Sequence, residues 1–243
     1  MWQVDEKLWN KYLEWKGSRK TTHEERPVVS TTRKKDFFKK LEENTWILGD
    51  INHGFAIIPL AEKKCCISTN FATDNKKADW KDTTTHLNLW AEKNLEYYFN
   101  TAVGDFQEKP GWGNVNYMIG CINIKEHWLT IAANMKKCKI YEFDSMPDYV
   151  EQKLVDQALQ MPTRCIASLV IAIGVDLHAE KFKYGPWPVL RSTKTLQRGR
   201  SLDCGIFCCN LLTHADHDCL TVKNMKLFRQ QYVLELWANK YFC

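Results

Sequence analysis

The sequence predicts an α+β domain, and three observations carry that prediction. Three short runs rich in Ile, Tyr, Phe and Trp, NYMIGCINI, HWLTIAA and CKIYEFD, lie together between Asn116 and Asp144, separated by polar breaks. Such runs read as strands. Apolar residues at helical spacing flank them on both sides. The composition, 44% hydrophobic and 26% charged over 243 residues, is ordinary for a globular chain long enough for one large domain or two small ones.

Taken in order, residues 1–30 read as a helical, basic extension: a Trp-rich charged stretch followed by the polar GSRKTTHEERP. Residues 31–243 form the domain itself. Asp36 to Glu43 has helical spacing, as does Leu87 to Phe99, where Leu87, Trp90, Leu95 and Tyr98 fall near one face. The three strands follow. Ser145 then offers a cap and Pro147 a first-turn proline for a helix through about Gln160, with Val150, Leu154 and Ala158 recurring at four-residue steps. A strand is expected near Pro188 to Thr195, and a helix near Cys204. Strands in the middle with helices around them make an α+β arrangement.

Several function classes are disfavoured. The N-terminus is charged throughout and lacks the apolar core of a signal peptide. The longest apolar run, Cys165 to Val175, falls far short of the ~20 residues that span a bilayer. These features predict an intracellular, reduced protein with no membrane partner; nucleus or cytoplasm is the expected location and a monomer the expected state. The formal net charge of +5 is mild. Basic clusters occur at Arg19-Lys20 and Arg33 to Lys40, but no stripe interleaves aromatics with Lys and Arg, so no nucleic-acid partner is expected.

The stretch RSLDCGIFCCNLLTHADHDC, Arg200 to Cys219, holds four cysteines and two histidines. Zinc is the obvious suspicion, and the spacing argues against it. Cys208 and Cys209 are adjacent and would point apart on a helix, and no C-x-x-C pair exists in the chain. No metal is predicted. Most of these cysteines fall where apolar residues belong and read as buried small hydrophobes. Cys204 differs because it sits at the entrance of the expected helix. With Asp203 as N-cap, Cys204 lies in the first turn, where free N–H groups and the helix dipole favour a thiolate. Gly205 leaves room for a carbonyl to approach.

A nucleophile needs a base, and the base an orienting group. His127 opens the strand HWLTIAA and Asp144 closes CKIYEFD. A hairpin centred between Met135 and Lys136 sets them directly opposite on one face, with Cβ atoms ~5 Å apart. A carboxylate so placed can hold an imidazole by Nδ1, as in catalytic triads.

The blocks INIKEHWLTIA, IYEFDS and LDCGIFCC, in that order, resemble the cysteine proteases that process SUMO and related ubiquitin-like proteins, a clan sharing its fold with the adenoviral protease. The resemblance covers about Trp46 to the C-terminus, and its flavour is that of versions in plant transposable elements. It implies a papain-like, adenoviral-protease-like α+β fold: a central mixed sheet flanked by helices. It implies that residues 31–243 are a catalytic domain that cleaves after the C-terminal Gly-Gly of SUMO or a related ubiquitin-like protein, with no cofactor. By matching motif, Cys204 would be the nucleophile, His127 the general base and Asp144 its orienter. The family's oxyanion-hole glutamine maps to Gln197, seven residues before Cys204 rather than six, with Leu196 in place of the usual proline. Trp128 and Trp46 resemble the two walls of the channel that admits a Gly-Gly tail, and between two indoles only glycines fit. Asp50 is one residue displaced from the aspartate that follows the first tryptophan in the family. Residues 63–85 match nothing in the family and occupy the place of an exosite for the substrate's folded part. Two rivals remain at this stage: an acyltransferase using the same triad, and a decayed, transposon-derived domain that binds a ubiquitin-like protein without cutting it.

Overall fold

The computed structural model describes residues 4–28, 31–43, 64–66, 79–92, 95–104, 111–175, 177–178, 180–193, 195, 197, 204–205, 207–208 and 225–238. In chain order its principal elements are α1 (Glu6–Gly17), β1 (Arg26–Val28), β2 (Thr31–Arg33), α2 (Lys35–Glu42), β3 (Lys64–Cys66), α3 (Thr83–Trp90), α4 (Glu96–Val103), β4 (Tyr117–Ile124), β5 (His127–Asn134), β6 (Lys139–Phe143), α5 (Gln152–Ala172), β7 (Val189–Arg191) and α6 (Met225–Trp237). The chain divides into two compact units, Leu60–Thr195 and Met1–Pro59 with Leu196–Cys243.

The unit Leu60–Thr195 is built on a mixed sheet of order β3-β4-β5-β6-β7. The two outer pairs, β3 with β4 and β6 with β7, are parallel, and the central β5 runs antiparallel to both β4 and β6. Every residue of β5 is buried. Leu129, Ile131 and Ala133 of β5 and Ile140 of β6 join Cys165, Ile166, Leu169 and Val170 of α5 in one apolar core. Burial on that scale is the main favourable contribution to the unit's stability.

Three helical expectations change. The helix expected over Leu87 to Phe99 is two helices, and Leu87 is exposed while His86 and Trp90 are buried. Trp90 and Leu95 both reach the core, yet five residues along one continuous helix would turn them well apart. Ending α3 at Trp90 resolves that conflict. The helix expected from Ser145 starts instead at Gln152, and residues 145–150 form turns. It also runs through Pro162 to Ala172. A proline inside a helix loses a backbone hydrogen bond, and here the buried apolar run from Cys165 to Ile171 outweighs that cost.

The other unit is held by rings and cations. Asp5 caps α1 by accepting from the Leu8 N–H at 3.0 Å. Trp15 packs edge-on against Phe38 of α2 and tilted against Trp237 of α6. Arg26 lies over both indoles, 5.6 Å from Trp15 and 4.8 Å from Trp237. Buried Arg229 donates to the carbonyls of Leu41 and Glu43 at the end of α2, satisfying groups that a helix terminus leaves orphaned. Residues 6–28 thus pack on α2 and α6 within this unit.

Candidate active site

β4 and β5 are joined by Lys125 and Glu126, whose φ angles are 49° and 66°. Ile124 pairs directly with His127 across them. Two consecutive left-handed residues make a tight type I′ turn, which side chains other than glycine and asparagine adopt at a cost. His127 therefore sits at the very start of β5, on the same face as Leu129 and Ile131.

Across β5 and β6 the ladder pairs Thr130 with Phe143 and Asn134 with Lys139. The hairpin is centred one residue later than the sequence suggests, so register differs by two and Asp144 falls level with Leu129. The closing loop explains the slip. Cys138 takes a left-handed φ of 48°, and Asn134 Oδ1 accepts from the Lys137 N–H at 2.9 Å, so residues 135–138 form a four-residue connection. A slip of two preserves the face of every side chain. His127 and Asp144 still meet, diagonally, with Nε2 2.7 Å from Oδ1.

The nitrogen that meets the carboxylate is thus Nε2, not Nδ1 as expected. Asp144 Oδ1 also accepts from the Met146 N–H at 2.7 Å. That is the Asx turn that an aspartate readily makes with the residue two on. His127 is 0% exposed and Asp144 7%, so the ion-pairing geometry is shielded from water and fixed at both ends. On the neighbouring strand position Glu142 is also buried. Burial raises its carboxyl above the usual range, against the opposing pull of Arg191, whose Nε donates to it at 3.1 Å.

Cys204 and Gly205 are helical, as are Phe207 and Cys208, and Cys204 is 0% exposed. Cys121, Cys138, Cys165 and Cys208 are likewise buried, and none is in a disulfide. Gln197 is exposed, in a segment without regular structure. Trp128 is buried and, by strand alternation, faces opposite to His127. Trp46, Asp50, Asp203, Cys209, His214, His217 and Cys219 lie outside the described residues, as does most of 63–85 apart from β3 and the approach to α3. Among the described residues no group of His, Cys, Asp and Glu could hold a metal ion, and no helix is long and apolar enough to cross a membrane.

One neighbour of His127 escaped the sequence reading. The Tyr149 ring lies 5.4 Å from the imidazole, tilted by 51°. Its place five residues after Asp144, in a turn-forming Ser-Met-Pro-Asp context, is the only sequence signal it gives.

Residues 73–238 match the family model described as the Ulp1 protease family, C-terminal catalytic domain. The fold is similar to that of the C-terminal Ulp1 protease domain solved in complex with Smt3, the yeast ortholog of SUMO. There the identity is 15%, the match covers 98% of this chain and 97% of that one, and the TM-score is 0.61. It is also similar to the SUMO protease Ulp1 with its catalytic cysteine oxidised to a sulfenic acid, at 14% identity, 98% and 97% coverage and a TM-score of 0.65. The Chaetomium thermophilum Ulp1-like SUMO protease catalytic domain matches at 13% identity, 98% and 90% coverage and a TM-score of 0.58. No curated protein sequence matches the chain.

Proposed function

This chain belongs to the Ulp1 protease family of cysteine proteases, and from that premise we infer that it cleaves after the C-terminal Gly-Gly of SUMO or a related ubiquitin-like protein. The observation that carries the reading is the buried His127–Asp144 pair, 2.7 Å apart, with Asp144 itself tied to the backbone at Met146. A structural histidine needs no doubly anchored carboxylate behind it; a general base does.

In the reaction, Cys204 Sγ attacks the carbonyl carbon of the terminal glycine and its proton passes to His127. We assign that proton to Nδ1, because Nε2 faces Asp144. The carbonyl oxygen becomes an oxyanion, held by the Cys204 N–H and the Gln197 side chain. Collapse breaks the C–N bond, and the amine leaves with the proton from His127. Water, deprotonated by the same imidazole, then attacks the thioester and frees the glycine carboxylate and the Cys204 thiol. The complete burial of Cys204 suits a substrate arriving as a narrow tail without side chains. Trp128 and Trp46 are the walls we assign to that passage. The enzyme would act inside the cell, in nucleus or cytoplasm, on SUMO or another ubiquitin-like protein and its conjugates, as a monomer.

The test is a panel of ubiquitin-like proteins carrying C-terminal electrophiles. The expected result is a covalent adduct with a SUMO-type member, mapped to Cys204 by mass spectrometry. Absence of an adduct with every member of the panel would contradict the reading.

A further inference from the structure

The imidazole of His127 is completely buried although it stands at the first position of its strand. The end of a strand is ordinarily open to water, so something must cover the ring. Tyr149 is in place to do so, its ring centroid 5.4 Å from the imidazole. At 45% exposure Tyr149 is itself among the exposed large hydrophobics, so its outer side meets solvent where its inner side meets the base. Its backbone is anchored on both sides. The Tyr149 N–H donates to the Met146 carbonyl at 3.0 Å, while the Met146 N–H is bound to Asp144. The next residue, Val150, is buried in the apolar core, and Pro147 between these anchors has a fixed φ. One short turn therefore carries two contacts to the histidine: the carboxylate at Nε2 and the tyrosine ring beside the imidazole.

We propose that Tyr149 is a positioning residue for the reaction, holding the imidazole of His127 and keeping water from its hydrogen bond with Asp144. A hydrogen bond of this kind is stronger in a dry setting than in a wet one. An imidazole that can tilt also loses alignment with the thiol whose proton it must take. The role needs the ring and not the hydroxyl. The proposal rests on the reading of His127 and Cys204 as base and nucleophile, and its test separates the two.

Tyr149→Phe and Tyr149→Ala are compared with wild type in kcat and KM on a cleavable ubiquitin-like reporter, and in the rate at which chloroacetamide alkylates Cys204 at pH 7. The alanine variant is expected to lose about tenfold in kcat with KM little changed, and about as much in alkylation rate. The phenylalanine variant is expected to stay within about twofold of wild type in both, because the ring is retained. Tyr149→Leu, which keeps apolar bulk without a flat ring, is expected to fall between them, and it serves if the alanine variant melts early. An alanine or leucine variant as fast as wild type would overturn the proposal. So would a phenylalanine variant as slow as alanine, or a loss confined to KM. Failure of the underlying reading looks different: wild-type Cys204 would then be alkylated no faster than in His127→Ala.

Discussion

Two histidines in the unit Leu60–Thr195 are completely buried, and one of them, His127, has a carboxylate hydrogen-bonded to its ring. His127 sits at the strand end with Nε2 against Asp144. His86, on α3, has Nδ1 2.7 Å from the Ser168 hydroxyl of α5, which also accepts from the Trp90 indole N–H at 2.9 Å. Burial holds the His86 imidazole below the ordinary histidine range, and Asp79 and Asp82 offset it only in part. A neutral ring between a hydroxyl and a neighbouring Trp80 ring ties two helices together, and the nearby aspartates do not fully offset its burial. A ring backed by a carboxylate can take a proton and return it. Burial alone therefore does not mark a catalytic histidine; the partner does.

The largest way to break this contrast is to remove the nucleophile that only His127 is assigned to serve. Cys204→Ala is expected to abolish turnover while retaining binding of a ubiquitin-like substrate, measured by reporter cleavage and by titration calorimetry. Gln197→Ala is expected to cost on the order of 10²–10³ in kcat, since the backbone N–H of Cys204 remains for the oxyanion. An unchanged rate would mean that the longer spacing before Cys204 has moved the glutamine out of the hole.

The other side of the contrast is tested by stability. Ser168→Ala leaves the His86 and Trp90 nitrogens without their shared partner, so the fold is expected to lose about 1–3 kcal/mol in denaturant melts with kcat unchanged. The pH dependence has a definite sign. The folded state holds His86 below its usual value of 6.5, so the unfolded chain binds the proton first as pH falls. Stability then declines as pH drops below about 6.5 towards the lower folded value. His86→Gln is expected to flatten that decline, and a slope equal to wild type would remove His86 from the account.

The same two sites show why some of the molecule was legible in its sequence and some was not. The strands were plain because their apolar runs are short and bounded, and the ordered His-Trp, Asp-Ser and Asp-Cys-Gly blocks pointed to the family and to the candidate site. The His127–Asp144 contact came through an incorrect register because a slip of two keeps the face. The left-handed Cys138 that causes the slip carries no sequence signal, since φ there is set by the hairpin's closure. His86 and Ser168 stand far apart in the chain, and periodicity cannot pair residues at that separation. The start of α5 was misread for a local reason: Ser145 and Pro147 look like a helix cap and first turn. In the structure they form the turn that binds Asp144 and presents Tyr149.

The central claim is that Asp144 makes His127 the base, and kcat of Asp144→Ala on a cleavable ubiquitin-like reporter tests it most directly. Two bonds to Asp144 fall on Oδ1, and alanine removes them. The account predicts that Asp144→Ala folds and loses on the order of 10³–10⁴ in kcat, as does Asp144→Asn, which leaves the imidazole in the wrong tautomer. A folded Asp144→Ala enzyme that turns over at the wild-type rate would contradict it.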